Sequence, residues 1–287
     1  MNFPGFIYLD LNRPYVAWET YRGVLISADQ IKIDIEKNPS KISIMFATII
    51  RDCNNQTLSN ELLIEQIRSN EFPELVSRLK GLFIFKDLKS AQNATVWGGY
   101  YNRGNRVNID VSTEIEPIRL DEKWISKFKK NEGIITEDSI GDIRKYWSGE
   151  PYDGNPRWEY LINGTATIRS ANVRNRAYNV IQKNMHGSID ILKLSRYAYE
   201  LDSDLGHCIP WIQRIAQNEF KLQYFMNFED AKNDVFLKKL QKYYPKKRKN
   251  FVQINGFNTP YFQPEFREFK LSNDTLYGYS ILKIIPL

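Results

Sequence analysis

The sequence predicts an α+β protein, and three observations indicate that class. The 287 residues suffice for one large domain or two small ones, each able to bury a core. Short β-prone runs are interspersed along the chain with amphipathic segments of helical spacing. The content of 42% hydrophobic and 14% aromatic residues is typical of a globular protein and excludes disorder, collagen and coiled coil.

The composition also limits where the protein works and which metals it holds. No apolar run approaches the ~20 residues that cross a bilayer, and the N-terminus lacks the layout of a secretion signal. Cys53 and Cys208 are far apart and show no CxxC spacing, which argues against a disulfide scaffold and a zinc site. With only His186 and His207, a histidine-rich metal centre is excluded. We therefore predict a soluble, cytoplasmic protein that binds no metal and no membrane.

The first elements follow from hydrophobic spacing and from capping residues. Residues 6–11 are apolar and β-prone and end at Asn-Arg-Pro, which predicts a strand. Residues 62–75 carry apolar side chains at helical spacing, interrupted by a proline near the end. A compact strand is predicted over 82–85. Asp87 should cap a short helix that reaches Ala94, because its carboxylate can accept from free backbone N–H groups.

The next segments are predicted from alternation and from turn residues. Residues 105–111 alternate polar and apolar side chains, as a half-buried strand does. A helix is predicted over 121–130. After a loop rich in Gly, Pro and Asp, residues 158–162 form a further strand. Asn163-Gly164 is a turn signal that leads into a strand over 166–168.

The chain divides near residue 170 by charge and pattern. Residues 171–287 carry 18 Lys and Arg against 11 Asp and Glu, a net +7, whereas residues 1–170 carry a net −1. In the second part we predict helices over 189–201 and 236–244 and a strand over 276–285. This basic part either folds separately or continues the first. Its charge indicates a polyanionic partner or simply a basic surface.

One stretch of the second part concentrates this charge. Its basic residues are Lys238, Lys239, Lys242, Lys246, Lys247, Arg248 and Lys249. Tyr243 and Tyr244 lie among them, and further aromatic residues follow. Cations that track phosphates and rings that stack on bases are typical of single-stranded nucleic-acid binding, so we predict such a surface here. A solvated helix face followed by an aromatic core strand would have the same pattern.

The candidate site begins with Glu159 in the segment Trp-Glu-Tyr-Leu-Ile. An ionised carboxylate within an aromatic, apolar strand is costly to bury unless it lines a cleft with a partner. The strand periodicity places Glu159 and Leu161 on one face, and Trp158 and Tyr160 on the other. If the tryptophan face is the core, Glu159 is simply solvent-facing.

Three motifs give the sequence a resemblance to a known family. Residues 65–85 read E-x-x-R-x-x-x-F-P-x-x-x-S-R-L-x-x-L-F-x-F, residues 146–149 read Y-W-x-G, and residues 158–161 read W-E-Y-L. In this order they resemble the toxin-type ADP-ribosyltransferases of bacteria and phages, among them mRNA-modifying toxins of antiphage toxin–antitoxin systems. The resemblance covers roughly residues 60–168 and the first strand.

The resemblance implies an ADP-ribosyltransferase-like split β-sheet core with short helices over 1–170, and a basic C-terminal α+β extension over 171–287. It implies a glycosyltransferase that consumes NAD as co-substrate, needs no metal and modifies a macromolecule. Nucleic acid is the expected partner, RNA more than DNA, together with an antitoxin protein. The alternative is a non-catalytic protein that binds single-stranded nucleic acid.

Residue by residue, the resemblance implies one catalytic and several cofactor-binding positions. Glu159 matches the catalytic glutamate, which holds a ribose hydroxyl and stabilises an oxocarbenium-like transition state. Arg78 matches an arginine that holds NAD; a salt bridge with Glu74 is its structural alternative. The remaining cofactor-binding candidates are Tyr8, Leu9, Arg13, Ser77 and Trp97. Many members have a histidine on the first strand, where this chain has Tyr8, and for Trp97 a core position is the alternative.

Overall fold

The fold is α+β, as predicted. A computed structural model describes residues 1–32, 40–52, 55–216, 219–243 and 269–272. The predicted strand over 276–285 lies outside the described residues, as do Lys246, Lys247, Arg248 and Lys249.

The secondary structure consists of short helices and several small antiparallel sheets. The helices are α1 (Pro14–Arg22), α2 (Ile44–Asp52), α3 (Asn55–Glu71), α4 (Leu88–Asn93), α5 (Lys123–Lys127), α6 (Ile140–Trp147), α7 (Ala171–Asn184), α8 (Ile189–Glu200) and α9 (Asp234–Tyr243). The strands are β1 (Asn2–Tyr8), β2 (Val24–Ile26), β3 (Ser40–Lys41), β4 (Leu82–Ile84), β5 (Arg106–Thr113), β6 (Ile118–Asp121), β7 (Lys130–Asn131), β8 (Ile134–Ile135), β9 (Trp158–Ile162), β10 (Gly164–Thr167), β11 (Cys208–Ala216), β12 (Glu219–Met226) and β13 (Phe269–Ser272).

The strands of the described residues pair into three main sheets. The first has the order β1-β5-β10-β2, the second β13-β12-β11-β3, and the third β4-β9-β6; β7 and β8 form a separate pair. A bridge between Phe6 and Phe85 links the edge of the first sheet to the third. The two sheets of the N-terminal part are therefore joined at one edge, and β9 lies at the centre of the third.

Local sequence signals account for several of these elements. Asp87 caps α4, because its carboxylate accepts from the Ser90 N–H at 2.7 Å. In β5 the apolar residues Val107, Ile109 and Val111 are buried, as the alternation predicts. The predicted helices over 62–75 and 189–201 are confirmed, with α3 beginning earlier and ending at Glu71, and the helix over 236–244 is confirmed as far as Tyr243, the last residue described there.

Three local predictions are wrong, two on the extent of an element and one on a turn. The first strand ends at Tyr8 rather than at residue 11, and the predicted helix over 121–130 is only the five residues of α5. Asn163-Gly164 closes no hairpin, because β9 and β10 belong to different sheets. Gly164 is needed for that transfer, since a Cβ there would lie 2.1 Å from the Ser112 carbonyl oxygen.

The second part of the chain packs on the first through a shared core and a buried charged cluster. On α1, Glu19 accepts from the backbone N–H of Cys208 at 2.7 Å, and Arg22 reaches Glu19 at 3.1 Å and Asp204 at 2.7 Å. His207 is also buried there. The two histidines differ in their surroundings: His207 is buried in this cluster, whereas His186 is exposed.

Candidate active site

Strand β9 directs Glu159 into the protein. The strand pairs with β4 on one side and β6 on the other, and Glu159 lies opposite Leu120 of β6. Only 7% of the Glu159 side chain is exposed. The solvent-facing alternative is therefore wrong, because Leu120, Leu161 and Glu159 share the face that packs inward.

Arg78 reaches the same carboxyl group from the segment before β4. Its Nη1 donates to Glu159 Oε1 at 3.3 Å, while Nε and Nη2 donate to the two Glu61 oxygens at 2.9 and 3.0 Å. The structural alternative, an ion pair with Glu74, does not occur. Helix α3 instead supplies Glu61 as a bidentate partner, which fixes the plane of the guanidinium.

Tyr146, near the end of α6, completes the group. Its hydroxyl accepts a hydrogen bond from Arg78 Nη1 and lies 3.3 Å from Glu159 Oε1, within reach to donate. Three motifs that are distant in sequence, S-R-L, Y-W-x-G and W-E-Y-L, thereby meet at one carboxyl group. We call Glu61, Arg78, Tyr146 and Glu159 the carboxylate cluster.

Burial governs the ionisation of this cluster. Loss of water raises the pKa of Glu159 from 4.5 to about 7, because the opposing effects of Arg78 and Tyr146 only partly offset it. Burial also disfavours the charge of Arg78, but Glu61, Tyr146 and Glu159 outweigh it and raise its pKa well above the ordinary range. Glu159 therefore changes its charge near neutral pH, which makes it a candidate for a functional site.

An aromatic cluster, made of Tyr8, Phe85, Trp97 and Tyr101, adjoins the carboxylate cluster. Tyr8 lies 5.9 Å from Phe85 and 5.2 Å from Tyr101, and Tyr101 lies 4.6 Å from Trp97, measured between ring centres. The Tyr8 hydroxyl donates to the Ala91 carbonyl at 2.6 Å. Burial raises the pKa of Tyr101, and the charge of Glu159 adds to that effect. Two predicted residues, Tyr8 and Trp97, are thus brought together near Glu159.

A second carboxyl group, Glu122, faces the same region. Burial raises its pKa, while Arg157 and the Trp97 indole N–H lower it. The charge of Glu122 in turn helps to raise the pKa of Glu159. The buried Trp97 N–H thus interacts with Glu122 and links the aromatic cluster to this carboxyl group.

The other cofactor-binding predictions occupy different surroundings. The Leu9 side chain is in the main core, and its N–H donates to the Asn105 carbonyl at 3.0 Å. Arg13 precedes α1 and lies 3.3 Å from Asp10. Neither makes a contact with the carboxylate cluster among the contacts that the structure describes.

Ser77 points away from Arg78, its neighbour in sequence. It lines an open cavity of about 620 Å³ with Glu65 and Arg68, and its hydroxyl accepts from the Leu79 N–H at 3.1 Å. Arg68 donates to Glu65 at 2.9 Å. The structure thus separates Ser77 and Arg78, which the sequence analysis assigned to the same cofactor.

The basic stretch is described only up to Tyr243. Helix α9 packs Phe236 and Leu240 inward and exposes Lys238, Lys239 and Lys242. The three exposed lysines fit a solvated helix face as well as a polyanion-binding one. Nucleic-acid binding by this stretch therefore stays a prediction.

Comparison with known families adds one match. The profile of a family described as proteins of unknown function, DUF2441, matches residues 18–175, more than half of the chain. The chain belongs to the DUF2441 family. The DUF2441 region contains the whole carboxylate cluster, together with Trp97 and Glu122, but not β1 with Tyr8. No match was found among curated proteins.

Two further observations concern the described residues of this DUF2441 protein. They contain no group of three His, Cys, Asp or Glu placed to hold a metal ion. None of their helices combines the length and the apolarity that crossing a bilayer requires.

Four residues of this region were not predicted from the sequence as site residues: Glu61, Tyr101, Glu122 and Tyr146. Tyr146 stood in a quoted motif, so the motif itself was a usable signal. Glu61 and Glu65 lie one helical turn apart among buried residues of α3, and buried charges at that spacing could have been noticed. Tyr101 and Glu122 carried no local signal, because their position depends on how the two sheets meet.

Proposed function

We propose that this protein is an NAD-dependent ADP-ribosyltransferase that modifies a macromolecule, with RNA as the preferred class of acceptor. The convergence of Arg78, Tyr146 and Glu159 carries the proposal. Each residue comes from a motif of the family resemblance, and the three share hydrogen bonds at one buried carboxyl group. The joined first and third sheets support the split-sheet core that the resemblance implies.

In the proposed reaction the bond between nicotinamide and C1′ of the ribose breaks, and its electron pair leaves with nicotinamide. A nucleophilic atom of the acceptor then bonds to C1′ and gives its proton to solvent. Ionised Glu159 would hold a ribose hydroxyl and stabilise the positive charge that develops on the sugar. The low exposure of its carboxylate strengthens that interaction, since little water screens it.

The surrounding residues support distinct roles. Arg78 has three of its nitrogen atoms directed at Glu61, Tyr146 and Glu159, which favours orienting the carboxylate over binding the phosphates of NAD. The aromatic cluster offers ring faces for nicotinamide or adenine.

The proposal is tested by incubating the purified chain with NAD labelled in its adenylate part and with separate RNA, DNA and protein pools. We expect label on the RNA pool and release of nicotinamide. Label confined to protein would contradict RNA as acceptor. No label on any pool, together with no nicotinamide release, would contradict the proposed activity.

Thermal stability distinguishes the enzyme from the rival, a non-catalytic nucleic-acid-binding protein. A ligand at ~100 times its dissociation constant adds ~2.7 kcal/mol to the free energy of unfolding. We therefore expect the melting temperature to rise in millimolar NAD. ADP-ribose at the same concentration shows whether the sugar-phosphate part suffices. An unchanged melting temperature with NAD would favour the rival.

The pKa of Glu159 predicts a pH dependence of activity. Because the pKa is about 7 and the ionised form is the active one, kcat/KM for NAD should fall about tenfold per pH unit below 7 and level off above it. The measurement is the rate of nicotinamide release between pH 5 and pH 9. A profile that stays flat down to pH 5 would contradict ionisation of Glu159 as the controlling step.

A further inference from the structure

A groove runs along the outer face of the first sheet, on the side of Pro4 and Phe6. It has a volume of about 580 Å³. Its lining includes Phe6 of β1, Asn108 and Asp110 of β5, and Lys86. In the strand register Phe6 lies opposite Asn108, and Pro4 lies opposite Asp110, so these side chains share one face. We call this the β1 groove.

Cations lie against aromatic rings along the β1 groove. The Arg106 guanidinium lies 5.9 Å from the centre of the Phe6 ring. The Lys86 ammonium, which lines the groove, lies 5.2 Å from the centre of the Phe3 ring and 4.7 Å from that of Tyr160. All three rings are half-buried, but of the three only Phe6 lines the groove. A half-exposed ring with an adjacent cation offers stacking and charge neutralisation together.

The far side of the groove adds polar groups and another cation. Thr167, Arg169 and Ser170 line it, and Arg169 forms an ion pair with Asp110. With Arg106 beside the groove, three cations face two carboxylates, Asp110 and Glu116, the latter 3.9 Å from the Lys86 ammonium. The net charge of this set is +1, and Asn108, Thr167 and Ser170 can donate and accept hydrogen bonds.

The groove borders the aromatic cluster that adjoins the carboxylate cluster. Phe6 packs against the cluster that contains Tyr8, Trp97 and Tyr101. The charge of Glu159 acts on Tyr101. A polymer bound in the groove would thus lie beside the aromatic cluster, and the aromatic cluster lies between the groove and Glu159.

We propose that the β1 groove binds single-stranded nucleic acid. Rings stack on unpaired bases, cations contact phosphates, and the amide and hydroxyl groups meet base edges or sugar hydroxyls. A cavity of this size holds a short stretch of one strand and not a double helix. That the bound strand is the acceptor for ADP-ribose rests on the proposed function; the binding does not.

The test measures binding of a fluorescein-labelled single-stranded RNA to the full chain by anisotropy across a salt series. In the variant Lys86→Ala/Arg106→Ala/Arg169→Ala we expect affinity to fall tenfold or more at ~0.1 M salt. Each phosphate contact contributes ~0.7 to the slope of log affinity against log salt for single strands, so the slope should fall by about 2. The control variant Lys127→Ala/Lys130→Ala/Lys183→Ala removes as many exposed charges outside the groove and should stay within twofold of wild type.

A second variant tests the ring without changing charge. Phe6→Leu keeps an apolar side chain against the aromatic cluster but removes the stacking face, and we expect about fivefold weaker binding. Circular dichroism checks that each variant is folded. Single-stranded DNA of the same sequence shows whether the sugar hydroxyls contribute, and the duplex should bind more weakly than either strand.

The outcomes separate this proposal from the proposed function. Groove and control variants that bind equally well, a preference for the duplex, or no binding by wild type would overturn the groove. An anisotropy change only with an acidic peptide would indicate a protein partner and also overturn it. Nicotinamide release without RNA should be unchanged in the groove variant. If wild type binds RNA through the groove but never releases nicotinamide, the proposed function fails and the groove stands.

Discussion

Replacing Glu159 with glutamine is expected to lower ADP-ribosyl transfer roughly 10²–10⁴-fold, while the affinity for NAD changes only a few-fold. Glutamine keeps the shape and can accept a hydrogen bond, but it cannot offer a negative charge to the developing positive charge of the sugar. The loss should therefore appear in kcat and not in KM. The measurement is nicotinamide release under saturating NAD.

Two comparisons sharpen this result. Glu114→Gln removes an exposed carboxylate on the chain segment after β5 and should leave the rate unchanged. Glu159→Asp keeps the charge but withdraws it by one methylene, so an intermediate rate is expected. Full transfer by Glu159→Gln would reject Glu159 as the catalytic residue.

The variant Glu159→Gln should also differ from wild type in stability. The folded-state pKa of about 7 lies above the ordinary 4.5, so the folded protein holds a proton that the unfolded chain has released between these values. Ionisation of Glu159 therefore costs stability as pH rises from about 4.5 to 7. Glutamine avoids that cost. The stability of Glu159→Gln relative to wild type should rise across this window in urea unfolding experiments.

The second large effect is expected for Arg78→Met, which should lower the free energy of unfolding by about 3–5 kcal/mol. Methionine leaves Glu61 and Glu159 buried without their shared cation, and an unpaired buried carboxylate is strongly destabilising. Equilibrium urea unfolding of the full chain at pH 8 measures the loss. At pH 5 the loss should be smaller, because protonation of Glu159, whose pKa is about 7, removes its unpaired charge.

The chain contains a matched control for this variant. Arg144 donates to the two oxygens of Glu71 at 2.7 and 2.8 Å, the same bidentate geometry, but both side chains are largely exposed. Arg144→Met should cost far less stability than Arg78→Met, since water solvates the remaining carboxylate. Equal losses for the two variants would contradict the importance that we assign to burial at Arg78.

The variant Glu61→Gln tests whether Arg78 acts by orienting the Glu159 carboxylate. Glu61→Gln retains one acceptor for Arg78 but loosens the bidentate contact. If Arg78 acts by orienting Glu159, turnover should fall while NAD affinity is kept. The Glu61 charge raises the pKa of Glu159, so its removal should also lower the apparent pKa of the activity profile. A fall in kcat without a change in KM is the readout that a purely structural role for Glu61 would leave unmoved.

The sequence by itself determined the local elements. The alternation of β5, the helical spacing of α3 and the Asp87 cap of α4 depend on neighbours within a few residues, so pattern and capping chemistry predicted them. The α+β class followed from those elements. The motif order likewise singled out the residues that the structure brings to one carboxyl group, Arg78 and Glu159.

Only the tertiary structure decided which way these residues face and what they contact. Strand alternation gave two equal faces for β9, and the packing of its neighbours buried the face with Glu159. Arg78 pairs with Glu61, 17 residues away, and not with Glu74, four residues away, because folding brings Glu61 of α3 to the segment before β4. The contacts that join Glu61, Arg78, Tyr146 and Glu159 form only when helices and sheets pack, and short-range spacing carries no information about that packing.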